Sequence, residues 1–204
     1  MATTTPPRER LLEAARQVVA RDGVGGLTLR AIARQAGVSH GAPLRHFPTL
    51  ASLLAAVSAW GFEQLRASVA EAIDGEDDPR RRIAAAGHGY VRFALAQPGV
   101  YAVMFRPDLS DTADPAYQAA GLASFEQLAG LVAEAQADGW HPDAPRDQVA
   151  AVLWANVHGL ADLWLHGALQ SVLTPDALES LLDLSTTFST ATSTTSPRGR
   201  RVES

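Results

Sequence analysis

Between Leu27 and Phe47 the chain reads Leu-Thr-Leu-Arg-Ala-Ile-Ala-Arg-Gln-Ala-Gly-Val-Ser-His-Gly-Ala-Pro-Leu-Arg-His-Phe, and its polar residues are of the types that hold a polyanion. Thr28 and Ser39 stand where two helices should begin. Each would offer a hydroxyl beside unpaired backbone N–H groups, a combination suited to phosphate oxygens. Arg30, Arg45 and His46 supply further donors. The start of the second helix carries Ser39, His40, Gly41 and Ala42, and in a helix-turn-helix that end enters the major groove, so His40 is the residue expected to influence base preference. The same exposed residues could instead form an ordinary solvated face.

The elements that must position these groups are legible from spacing. Leu11, Ala14, Ala15, Val18 and Val19 form one apolar stripe behind Thr5-Pro6-Pro7 and before Asp22-Gly23, which predicts a first helix. Thr28 caps a short second helix with Ile32, Ala33 and Ala36 inward, and Gly37 occupies the left-handed position that ends it. Only Gly37 and Val38 separate that helix from Ser39, the expected cap of a third helix at 40–46, so the two helices must meet at a sharp angle. Leu50, Leu53, Leu54, Val57, Trp60 and Leu65 mark a longer fourth helix.

Helical spacing recurs at 79–96, 98–106, 114–137, 146–169 and 175–184, with cap-then-proline starts at Asp78-Pro79 and Thr174-Pro175. No segment alternates apolar and polar residues long enough to argue a sheet. The expected fold is therefore all-α: a three-helix head at 1–50, a helical body at 51–184, and a disordered Ser/Thr-rich tail at 185–204. The acidic, breaker-rich segment Asp74 to Pro79 reads as a solvated linker with a soft boundary near it. Residues 149–169 are apolar nearly all round, and a helix with two apolar faces needs two partners, its own body and a second copy of the chain.

Charge divides along the same line. The whole chain carries −5, yet residues 1–66 hold eight arginines against four carboxylates, net +4, and the remainder nine against eighteen, net −9. A basic end on an acidic protein is compatible with polyanion binding. With no cysteine, disulfides and thiolate metal sites are excluded, and with neither a signal-peptide stretch nor a long apolar run the expected location is the cytoplasm, with no membrane partner. No nucleophile elbow, zinc-protease helix, Walker loop, dinucleotide fingerprint or di-iron Glu-x-x-His is present, so no enzymatic activity, cofactor or metal is expected. His158 and His166 are eight residues apart, roughly 12 Å along a helix, too far to chelate one ion together. His88 could approach one of them, though a satisfied core histidine is the simpler reading.

Taken together, Thr28, Ile32-Ala33, Ala36-Gly37-Val38-Ser39, Gly41 and His46-Phe47 resemble the N-terminal signature of the tetracycline-repressor-like (TetR) transcriptional regulators over residues 8–60. Two positions depart from the family's pattern. Leu44 stands where a tyrosine is usual and Leu50 where a lysine commonly begins the fourth helix, both phosphate contacts in that family. Their loss should lower affinity more than sequence choice, and Pro43 removes one more donor. Compensation would come from Arg45 and from Arg8 and Arg10 on the N-terminal arm.

The resemblance implies a helical effector-binding and dimerisation domain after the head. Trp154, His158 and Gly159, with Tyr90, Phe93, Gln97, Tyr101, Met104 and Phe105 before them, look like the subgroup with a Trp-His-Gly C-terminal motif. Tyr90, Phe93, Tyr101, Met104, Phe105, Phe125, Leu128, Trp154 and His158 are the candidate lining of an apolar effector pocket, although aromatics at helical spacing also serve as plain core. The expected protein is a homodimeric, ligand-responsive regulator: a repressor released from a palindromic double-stranded DNA operator by a small molecule. The alternative is a dimeric protein-interaction module with weakened DNA binding, in which Leu44 and Leu50 are exposed apolar contacts.

Overall fold

The structure, a computed structural model, describes residues 6–39, 41–174 and 176–190, and every regular element among them is helical. Helix α1 (Pro7–Asp22) opens on Pro6-Pro7, where a missing N–H costs nothing, and buries Leu11, Ala14, Ala15, Val18 and Val19. A 3-10 turn at Val24–Gly26 leads to α2 (Leu29–Gln35), whose cap, the Thr28 hydroxyl, accepts the Ala31 N–H at 3.1 Å. Helix α2 ends in a double backbone closure: the Gly37 N–H reaches the Arg34 carbonyl at 3.2 Å and the Val38 N–H reaches the Ala33 carbonyl at 3.1 Å. That closure needs the left-handed backbone of Gly37, φ 65°, which would cost an L side chain about 1–2 kcal/mol.

Helix α3 (Ala42–His46) then follows, shorter than the expected 40–46. Ser39 does not cap it through its side chain. Its carbonyl instead takes the Ala42 N–H at 2.9 Å, closing a turn. Pro43 has no N–H to offer, and no side-chain oxygen caps the helix start at Gly41. His40 lies outside the described residues.

Helix α4 (Leu50–Ile73) is a 24-residue rod, about 36 Å long. It starts from a reciprocal cap in which the Thr49 hydroxyl accepts the Ser52 N–H at 3.0 Å and the Ser52 hydroxyl oxygen accepts the Thr49 N–H at 3.1 Å. Helix α5 (Pro79–Ala96) packs beside it and is tied to it where the Ser68 hydroxyl donates to the Gly89 carbonyl at 2.9 Å. The acidic segment before α5 is therefore a loop between packed helices rather than a break in the core, and Asp78 is spent as a cap, accepting the N–H groups of Arg80 and Arg81.

Four further helices complete the body: α6 (Pro98–Met104), α7 (Pro115–Ala137), α8 (Arg146–Leu165) and α9 (Ala177–Thr190), with a 3-10 turn at Leu169–Ser171. Helix α6 stops two residues before the expected end. Helix α8 stops at Leu165 rather than 169 because Gly167, φ 79°, turns the chain so that its N–H and that of Ala168 close onto Trp164 and Leu163. Helix α9 continues to Thr190, six residues into the stretch expected to be disordered. Pro175, the expected proline start of that helix, and residues 191–204, the rest of that tail, lie outside the described residues.

One apolar core runs from Leu11 in α1 to Leu182 in α9. Helix α6 joins head to body, packing on both α1 and α4. At its first turn Gly99 meets α1 so closely that an added Cβ would lie 2.5 Å from the Val19 carbonyl oxygen. No helix among the described residues is long and apolar enough to cross a membrane. Because backbone cannot retreat from the α1–α6 crossing as a side-chain tip could, Gly99→Ala is expected to cost about 1–3 kcal/mol. The measurement is urea unfolding, with a lower midpoint at unchanged slope as the expected result; a wild-type midpoint would contradict the close crossing.

Candidate nucleic-acid interface and cavity

The head separates a buried half from an exposed one. Ile32 and Ala33 of α2 are fully buried with Leu11, Val18 and Phe47, which fixes the angle at which α3 leaves the turn. Thr28, Arg30, Ser39, Gly41, Leu44, Arg45 and His46 are all exposed, and Ala42 is half-buried. The Thr28 oxygen is occupied as a cap acceptor, but its O–H remains able to donate to a phosphate. The two leucines that depart from the family's pattern separate here. Leu44 is 53% exposed on α3, whereas Leu50 is half-buried against the core and is not a surface contact. The Arg8 guanidinium lies over the Phe47 ring at 5.1 Å, so this side chain braces the end of α3 against α1. Arg16 likewise covers Trp60 of α4 at 4.0 Å.

The body holds a cavity of about 360 Å³ between α4, α5, α7 and α8, bordered by Met104, Phe105 and Pro107 and by Ser185 of α9, with Pro107, Trp154 and Asn156 exposed to solvent at its rim. Of the nine residues proposed from the sequence, Tyr90, Met104, Phe105, Phe125, Leu128 and Trp154 line it. Phe93, Tyr101 and His158 do not. Phe93 is core, 4% exposed, and Tyr101 and His158 stand behind Tyr90. Sequence reasoning missed the α4 wall, Phe62, Leu65 and Val69, whose i, i+3, i+7 spacing is indistinguishable from that of ordinary core. It also missed Tyr117, Gly121, Ser124 and Gln127 on α7, and Leu153, Asn156 and Val157 on α8.

Behind the cavity wall three rings share one nitrogen. The hydroxyls of Tyr90 and Tyr101 lie 2.8 and 2.9 Å from His158 Nδ1, and the Tyr101 hydroxyl also lies 3.4 Å from the His158 carbonyl. Burial lowers the His158 pKa below its ordinary 6.5, an effect that the Asp162 carboxylate opposes. Burial also pushes Tyr101 up to about 12 and Tyr90 further still. Above about pH 6.5 the cluster is thus neutral, and the tautomer of His158 decides whether Nδ1 accepts a tyrosine proton or donates its own. The other histidines do not assemble with it: His88 faces Glu179 and Asp183 on α9, and the His166 ring bonds the Asp162 carbonyl at 2.8 Å. Among the described residues no group of three or more potential ligands could hold a metal ion.

A helix-turn-helix head on an all-helical body is the architecture of a DNA-binding regulator. Residues 83–187 match the family described as "Tetracyclin repressor-like, C-terminal domain", and residues 11–57 match "Bacterial regulatory proteins, tetR family". The chain belongs to the TetR family of DNA-binding transcriptional regulators. Over 93% of its length it is similar to a solved protein of unknown function from Rhodococcus sp. RHA1, at 34% identity, 98% coverage of that chain and a TM-score of 0.78. A transcriptional regulator from the same organism aligns over 91% of this chain and 95% of its own, at 26% identity and a TM-score of 0.66. A curated relative, the nucleoid occlusion factor SlmA of Vibrio campbellii, is 30% identical over 101 residues, 49% of this chain; the match spans about half, 52%, of that relative's length.

The depressed pKa of His158 couples folding stability to pH. Its contribution to stability is complete above the unfolded value near pH 6.5 and is lost as pH falls through the lower folded value, since the unfolded chain then binds the proton first. Thermal melts should therefore decline from pH 7 to pH 5, and His158→Gln should make that decline shallower. Parallel declines in the two proteins would show that His158 is not held neutral.

Proposed function

We propose that this protein is a ligand-responsive regulator, most simply a repressor, that binds a palindromic operator as a homodimer and is released by a small molecule held in the body cavity. The observation that carries the reading is that α4 belongs to both sites. Its capped start follows α3 closely, and its Phe62, Leu65 and Val69 wall the cavity about 18–28 Å further along. A ligand that repositions the cavity end of this rod displaces the end that sets the angle of α3.

Two recognition helices must lie about 34 Å apart to enter successive major grooves. A dimer supplies them, and the exposed apolar side chains of the C-terminal helices support one. Val152 is 69% and Leu163 47% exposed on α8, on a face shared with Ala155 and Gly159, and Leu184 on α9 is 52% exposed. An effector that favours a dimer with a different spacing shifts the population away from the DNA-competent form. In the head, Thr28, Arg30 and Arg45 act on phosphates, His46 adds a donor, and Ser39, His40, Gly41 and Ala42 approach the base edges.

Two outcomes test this reading. Arg45→Ala should weaken operator binding in gel shifts across all operator sequences and reduce the salt slope by about one. Unchanged affinity and slope would remove Arg45 from the interface. Paired substitution of Val152 and Leu163 by Glu should convert the dimer to a monomer in sedimentation and abolish operator binding with helicity retained; a persistent dimer would place the subunit interface elsewhere.

A further inference from the structure

Among the described residues, no Asp, Glu, Lys, Arg or His lines the cavity. The chain that continues past its rim at Ser185 has no charged residue before Arg198. Arg106, next to the cavity residues Phe105 and Pro107, is held in a two-point pair with Asp108 at 2.7 and 2.8 Å. A charged group held among these side chains, away from the exposed rim at Pro107, Trp154 and Asn156, would lack a counter-charge, which costs several kcal/mol.

Most of the polar lining is already engaged. The Ser124 hydroxyl donates to the Phe62 carbonyl at 3.2 Å, and the Gln127 side-chain amide donates to the Arg66 carbonyl at 3.1 Å. The Asn156 amide donates to the Ser185 hydroxyl at 2.9 Å.

Tyr90 differs, because proton counting leaves it adaptable. In the tautomer protonated at Nε2, His158 Nδ1 has one lone pair, and two hydroxyls stand within reach of it. If Tyr90 donates to Nδ1, Tyr101 turns to the His158 carbonyl at 3.4 Å and Tyr90 shows the cavity an oxygen lone pair. If Tyr101 donates, the Tyr90 O–H is shared between the Tyr101 oxygen and a ligand acceptor, with Trp154 close by on the cavity side.

On the reading that this cavity is the effector site, we propose that its ligand is an uncharged, largely apolar molecule bearing a hydroxyl or carbonyl that hydrogen-bonds to Tyr90. The volume stands near the lower end of the roughly 300–1,000 Å³ usual for small-molecule sites, so a compact or single-chain molecule fits the space better than a large polycycle.

The test uses the full-length protein and three probes with the same ten-carbon chain: decanol, decanoate and decylammonium. Binding is read at neutral pH from tryptophan emission, since Trp154 lines the cavity, and from thermal shift. Decanol is expected to bind, with both ionised probes weaker by about tenfold or more. Tyr90→Phe should weaken decanol by roughly two- to tenfold, the worth of one hydrogen bond. Gly121→Leu should abolish the response, because its side chain would grow toward the Phe62 ring, which stands 3.7 Å from an added Cβ. Circular dichroism of both variants establishes that they are folded.

An ionised probe binding as tightly as decanol overturns the ligand class while leaving a working effector cavity. Full affinity in Tyr90→Phe, or a retained response in Gly121→Leu, overturns the assignment to Tyr90 or to this cavity. No response to any probe, with operator binding intact in gel shifts, overturns the inference and the effector role of the cavity together.

Discussion

A continuous helix cannot kink sharply at its middle without disturbing its backbone hydrogen bonds, and α4 is continuous for 24 residues. The architecture depends on that stiffness. Leu53, Leu54 and Val57 near its start are buried, with Arg16 of α1 stacked on Trp60, while Phe62, Leu65 and Val69 one to three turns later form a cavity wall. Its first turn is secured by the reciprocal Thr49–Ser52 cap, so the junction with α3 does not fray. Helix α6 adds a second bridge, with Gly99 seated on the α1 backbone and Met104 at the cavity. Head and body therefore share packing rather than a flexible tether.

Charge is sorted along this frame. The arginines of the first 66 residues leave the head with a positive excess over a net-acidic remainder, which favours approach of a polyanion from one end only. Among the described residues the cavity lining carries no charged side chain, and His158, hydrogen-bonded to Tyr90 and Tyr101, has its pKa lowered by burial. The positive excess thus lies in the head and the uncharged cavity lining in the body.

Much of the fold was legible beforehand for local reasons. The stripe of α1, the Thr28 cap, the Gly37 turn and the Asp78-Pro79 start are each set by residues a few positions apart, and each stands where its chemistry requires. Ser39 was misread because a good cap residue says nothing about whether its target N–H is free, and the Ala42 N–H was taken by a backbone carbonyl. The end of α8 was misread because apolar residues continue past Gly167, whereas the backbone of that glycine turns.

The amino-acid sequence by itself determined the helices, the sharp α2–α3 turn and the exposed polar set on the head, since periodicity, caps and a glycine act over one or two turns of chain. The tertiary structure alone decided which apolar side chains enclose space and which fill it. Phe93 and Phe125 are equivalent in pattern, yet one is core and the other cavity wall, and Phe62 joins the wall from a helix far away in the chain. A helical stripe specifies that a face is covered; whether the covering helices meet or leave a gap depends on their crossing distances, set by contacts such as Gly99 on Val19 that no local pattern encodes.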